Sequence, residues 1–129
     1  MDDPVEVALA WIDAWNRGDT DRFLAMLAPD AEWRDRPEFP DAGVYQGREA
    51  IGRHIQRLVE GVRVTWEPVS SQRSGDRVLL HTRLRMHGEG SGLDVVDDVH
   101  AVVTVRGGLV VRRENYSTPD EARRALGGP

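Results

Sequence analysis

Arg77-Val78-Leu79-Leu80-His81-Thr82-Arg83-Leu84-Arg85-Met86-His87 is the stretch on which the architecture of this chain turns. Val78, Leu80, Thr82, Leu84 and Met86 fall on one face; Leu79, His81, Arg83, Arg85 and His87 fall on the other. A period of two marks a strand with one buried side. Upstream, Val62, Val64 and Trp66 alternate with Arg63, Thr65 and Glu67 as far as Pro68, and 70–76 reads as a turn. Downstream, His87-Gly88-Glu89-Gly90-Ser91-Gly92 reads as a flexible connection. No Lys-Ser or Lys-Thr pair follows it, so it is not a phosphate-binding loop. A further strand spans 95–106. Gly107-Gly108 then makes a tight hairpin into a strand over 109–116. Thr118-Pro119-Asp120-Glu121 is a capping box that opens a short helix ending before Gly127.

The first half is helical. Asp3 caps a helix with Pro4 at its first position, and Val5, Ala8, Leu9, Trp11, Ile12 and Trp15 form an apolar stripe up to Gly18. Asp19 or Thr20 caps a second helix carrying Phe23, Leu24, Met26 and Leu27, which Pro29 stops. A strand over 31–36 follows, then a loop over 36–43 with two prolines and a short extended piece at 44–46. Gly47 opens a third helix with Ile51, Ile55, Leu58 and Val59 on its core face, and Gly61 ends it. Two helices, a strand, a helix and a run of antiparallel strands predict one α+β domain over 1–129. Helices covering one face of a bent sheet leave a concave space that suits a small molecule.

Composition narrows the function. The chain has 129 residues, 40% hydrophobic and 30% charged, as in a globular domain. A net charge of −5 argues against a nucleic-acid or anionic-membrane surface. No apolar run is long enough to span a bilayer, and the acidic start Met1-Asp2-Asp3-Pro4 is unlike a signal peptide, so a cytoplasmic location is expected. There is no cysteine, which excludes thiolate chemistry. All 17 Lys and Arg residues are arginine, which excludes Schiff-base lysines.

Within Ala31-Glu32-Trp33-Arg34-Asp35-Arg36, alternation sends Glu32, Arg34 and Arg36 to solvent, and Ala31, Trp33 and Asp35 to the core. A carboxyl group beside a tryptophan on a core face is a candidate for proton transfer, because desolvation disfavours the charged form. The alternative is that Asp35 only ends the strand before Pro37.

Trp15-Asn16-Arg17-Gly18-Asp19, Leu27-Ala28-Pro29-Asp30-Ala31-Glu32-Trp33 and Tyr45-Gln46-Gly47-Arg48-Glu49-Ala50-Ile51 resemble the SnoaL-like branch of the nuclear transport factor 2-like superfamily. Gly108-Leu109-Val110-Val111-Arg112 resembles its last hairpin, and the run from Asp120 to Gly127 resembles its tail. The resemblance covers nearly the whole chain. It implies a cone-shaped α+β barrel, in which a curved, mixed, mostly antiparallel sheet wraps a long N-terminal helix around a pocket. It also implies a homodimer formed through the outer sheet face. Members include ketosteroid isomerases, polyketide cyclases, epoxide hydrolases and proteins without catalysis, so fold alone does not give function.

By this resemblance Asp35 sits where ketosteroid isomerases keep their general base, and Trp11 replaces their oxyanion-donating helix tyrosine. Leu93-Asp94-Val95-Val96-Asp97 resembles the stretch with the second acid. Counting back from Gly108, however, puts Ala101 at that place, and Asp97 lies about 13 Å further along the same face. The Arg-x-Asp pair of the epoxide hydrolases is missing, since Arg83 is followed by Arg85.

Asp97 is the second catalytic candidate, because it shares a face with Val95, Val99, Ala101, Val103 and Val105. The alternative is a structural pair with an arginine such as Arg83. His54 lies on the core face of the third helix, either as a half-buried structural residue or as part of the site. Trp11, Trp15, Trp33 and Trp66 are core residues, some of which would wall a pocket for a planar apolar ligand. Tyr45 and Tyr116 are structural residues or hydroxyl donors at its mouth. No histidine pair has a metal spacing, so neither metal nor cofactor is expected. The expected partner is a small hydrophobic ligand. Asp35 would remove a proton beside its carbonyl, with Trp11 N–H steadying the oxyanion; the competing expectation is a non-catalytic binding or dimerisation domain.

Overall fold

Asp3 and Pro4 start the first helix as the sequence predicts. In the computed structural model, which describes residues 3–36, 43–88, 90, 92 and 94–127, the Asp3 carboxylate accepts the Val5 N–H at 2.9 Å. Helix α1 runs Pro4–Asn16 and buries Val7, Ala8, Trp11, Ile12 and Ala14. Leu9, placed in the stripe by its spacing, lies at the stripe's edge and is exposed. Gly18 turns the chain at φ +76°, a left-handed conformation that favours glycine. The Asp19 carboxylate then accepts the Arg22 N–H at 3.1 Å to cap α2 (Thr20–Ala25).

Two expected boundaries move, for related reasons. Helix α2 stops at Ala25, and Leu27 already belongs to β1 (Leu27–Arg34), so Pro29 sits inside a strand rather than ending a helix. The pairing of β1 shifts between Leu27 and Glu32, an irregularity in which a missing N–H breaks no ladder bond. The expected turn over 70–76 shrinks likewise. Strand β3 runs Val62–Ser74 through Pro68, with a register shift between Pro68 and Ser70. It is an edge strand that tolerates proline, and its outer half is exposed on both faces, so no alternation marks it.

The remaining elements are β2 (Val44–Gln46), α3 (Arg48–Leu58), β4 (Arg77–Gly88), β5 (Asp94–Arg106), β6 (Leu109–Tyr116) and α4 (Pro119–Leu126). Gly107 and Gly108 take φ +58° and +76°, the pair of positive values that a two-residue hairpin needs. Residues 37–42 of the loop expected over 36–43, and residues 89, 91 and 93 of the glycine-rich connection, lie outside the described residues.

The six strands form one sheet in the order β2-β1-β6-β5-β4-β3, with only β1 and β6 parallel. Helices α1 and α3 pack inside its curve, while α4 covers the outer face through Ala122 and Leu126 on Leu79 and Val102. This is the cone-shaped α+β architecture expected from the resemblance. Side chains of α1 tie it to the edge strand. Trp15 Nε1 donates to the Val64 carbonyl at 2.9 Å. Asn16 Nδ2 donates to the Trp66 carbonyl at 2.7 Å, and its Oδ1 accepts the Trp66 N–H at 2.9 Å. Asn16 thereby mimics a strand partner and holds the wall of the cone against the helix. Asn16→Ala leaves both backbone groups unpaired and should cost about 2 kcal/mol, measured by urea unfolding; an unchanged midpoint would show that water replaces the amide without loss.

Candidate functional site

Between α1, α3 and the sheet lies a cavity of about 70 Å³. Its aromatic walls are Trp15, Trp33 and Trp66, its α3 side is Ile55, Leu58 and Val59, and Leu84, Met86 and Val99 complete the apolar lining. Four polar side chains reach it: Asp35, Arg36, Arg113 and Asn115.

Asp35 follows the last residue of β1, and its side chain is buried. Trp33 Nε1 donates to its Oδ1 at 2.7 Å. His54 Nε2, on α3, lies 2.6 Å from its Oδ2. The two atoms are in close contact without the alignment of a regular hydrogen bond. His54 is 1% exposed and is fixed from behind by Tyr45, whose ring stacks on it at 3.8 Å between centroids.

Arg113 comes from β6, where it pairs in register with Trp33 of β1 and Val103 of β5. It is 2% exposed. Its Cζ lies 4.7 Å from the ring centroids of both Trp33 and Trp66, and 5.5 Å from that of Trp11. Nε donates to Asn115 Oδ1 at 2.9 Å, and Asn115 Nδ2 donates to the Arg34 carbonyl at 3.1 Å. Nη1 is buried without a hydrogen-bond partner. Burial pushes the guanidinium down to about 10, against the opposing pull of the Asp35 charge. It therefore stays cationic at neutral pH.

The expected site residues divide. Trp15, Trp33, Trp66 and Asp35 meet at the cavity; His54 and Tyr45 stand behind Asp35 rather than in the wall. Trp11 is a correction. It is fully buried and its N–H donates to the Phe23 carbonyl at 3.0 Å, so it cannot also hold an oxyanion. Tyr116 packs with the α4 cluster and donates to Glu114 Oε2 at 2.9 Å, outside the cone. Burial and this acceptor raise it to about 12. Asp97 is a further correction. It is absent from the cavity wall, its side chain is 48% exposed, and its Oδ2 accepts from Arg36 Nη2 at 2.9 Å. The first part of β5 is open to solvent on both faces, so facing the side of Val99 does not bury Asp97. Arg36 was expected in solvent, but the chain leaves the strand after Arg34 and its side chain turns inward. Arg83 approaches Asp98 at 3.8 Å, not Asp97.

Arg113 and Asn115 were not foreseen. Among the described residues no His, Cys, Asp and Glu group of three could hold a metal, and no helix is long and apolar enough to cross a membrane. Removing one member of the buried Asp35–His54 pair strands the other. His54→Ala should therefore cost about 3 kcal/mol. Combined with Asp35→Asn it should cost less than the two single losses together, by about 1 kcal/mol or more, in a double-mutant cycle on urea unfolding.

Comparison with known proteins agrees with this architecture. No curated protein matches the chain. A nuclear transport factor 2-like protein from Burkholderia xenovorans is 28% identical, with a TM-score of 0.72 over 95% of each chain. A candidate polyketide cyclase from Xanthomonas campestris is 26% identical, with a TM-score of 0.75 over 92% of each chain. Another, from Sinorhizobium meliloti, is 25% identical, with a TM-score of 0.70 over 86% of this chain and 94% of that one. The family model described as SnoaL-like domain matches residues 8–113. With that match spanning most of its length, the chain belongs to the SnoaL-like domain family.

Proposed function

We propose that the cone binds a small hydrophobic molecule with a carbonyl, and that Asp35 removes a proton from the carbon beside it. The observation that carries this reading is a buried carboxyl group at a cavity with mostly apolar walls, held by Trp33 N–H and beside His54. A buried acid at a cavity wall is a candidate for proton transfer. The chain's likeness to candidate polyketide cyclases at 25% and 26% identity supports cyclase chemistry. In the proton transfer, the C–H bond breaks, an O–H bond forms on Asp35, and the electron pair moves into the carbonyl as an enolate. The enolate then either takes the proton back at another carbon, or closes a ring on a second carbonyl of the same molecule, whose new alkoxide takes the proton from Asp35. His54 keeps the carboxyl oriented throughout.

At about 70 Å³ the cavity holds little more than two waters. A ligand enters by displacing Met86, a flexible side chain, and the Leu58–Val59 end of α3. One observation favours a second reading. Both oxygens of Asp35 already have partners, as in a residue that only shapes a pocket, so a non-catalytic binding domain is the alternative. The working form in either case is a cytoplasmic homodimer joined through the outer sheet face, where Val96 is 54% exposed.

Deuterium uptake separates the two readings whatever product forms. Aryl ketones that raise the melting temperature are incubated with the protein in heavy water, and exchange beside the carbonyl is followed by NMR. Asp35→Asn should slow that exchange by about 10²–10⁴-fold while changing ligand affinity less than about tenfold. Exchange that continues unaltered in the variant would rule out Asp35 as the base. Equilibrium sedimentation at micromolar concentration should show a dimer; a monomer alone would refute that assembly.

A further inference from the structure

The proposed chemistry leaves one buried charge without an assigned task. Arg113 is a cation sealed into the core, and among the described residues no carboxylate lies within 4 Å of it. Asp35 is taken by Trp33 and His54, and Glu32 and Glu114 by Arg112 on the other face of β6. Of its five N–H donors, Nε has Asn115, while Nη1 is buried with no acceptor. The rings of Trp33 and Trp66 stabilise the charge but offer no oxygen for Nη1. The side chain lines the cavity that Asp35 also lines. A built cation with an unmet donor, on a side chain that lines the cavity, suits an anionic oxygen from outside the protein.

We propose that Arg113 is the oxyanion-binding residue of the cavity, which selects planar conjugated ligands whose oxygen is anionic, such as enolates and vinylogous acids. The proposal rests on the reading of the cavity as a ligand site, and it names the substrate class that site takes. The flanking indoles suit a flat π-system, and the guanidinium meets its charged oxygen edge-on. In the proton transfer described above, the pair released from the C–H bond comes to rest on the oxygen beside Arg113. Asp35 and Arg113 then act on opposite ends of one enolate. Asn115 is a positioning residue, since it holds Nε and is itself tied to the Arg34 carbonyl.

The test uses two coumarins of matched shape with the full chain at pH 7. 4-Hydroxycoumarin is an anion there, and 4-methoxycoumarin is neutral. Isothermal titration should show the anion bound about tenfold or more tightly than the neutral analogue, as a charged hydrogen bond predicts. Arg113→Gln should remove that preference, whereas Arg112→Gln, on the outer face of β6, should keep it. If Arg113→Gln does not fold, Arg113→Lys replaces it. Lysine keeps the charge but loses the planar fork, and the preference should fall about threefold or more. Equal binding of both coumarins by the wild-type chain, or a preference undiminished in the Arg113 variant, overturns the oxyanion assignment alone. Binding of neither compound overturns the cavity reading and the assignment together.

Discussion

A guanidinium enclosed by indole rings sets the terms for the interior of this fold. Burying a charge is costly unless something replaces water around it. Here the replacements are the rings of Trp33 and Trp66 and the amide of Asn115. They do so incompletely, since burial still pulls Arg113 down to about 10. Three indoles of the aromatic core are polar-satisfied elsewhere. Trp11 donates to the Phe23 carbonyl, Trp15 to the Val64 carbonyl, and Trp33 to Asp35. Each of these bonds crosses between elements or holds a strand end, so the aromatic core and the hydrogen-bond scaffold are one system.

The acid side of the cavity is built by different parts. β1 delivers Trp33 and, just beyond its end, Asp35, while α3 brings His54 to meet them with Tyr45 of β2 stacked behind. Base and cation therefore arrive on different elements, joined where β1 and β6 run parallel and set Trp33 beside Arg113. A shift of one residue in that pairing would put the tryptophan and the arginine on opposite faces of the sheet. The edge strand completes the wall only because Asn16 supplies the pairing that a neighbouring strand would otherwise give Trp66.

Most of the fold was legible in the chain. Caps at Asp3, Asp19 and Thr118, the Gly107-Gly108 hairpin and the alternation of β4 are local signals that operate within a few residues. The misread boundaries share one cause. Pro29 and Pro68 look like stops when read locally, yet both sit at pairing irregularities that only the neighbouring strand creates. Leu9 and Asp97 show the converse. A face assignment gives direction, but burial requires that something cover the face, and neither position is covered.

By itself the sequence determined the class of the fold, the order of its elements and the inward turn of Asp35 beside Trp33, because periodicity and capping act along the chain. It could not tell which of Arg112 and Arg113 enters the core. Thr104 pairs with Arg112 and Val105 with Val110, so Val111 is an extra residue that reverses the alternation of β6. Val110 and Arg113 consequently share the inner side, while Arg112 meets Glu32 outside. The partnership of Asp35 with His54, and the cation facing the same cavity, were decided by tertiary structure alone. Both depend on how a helix and two strands, far apart in the chain, are seated against one another.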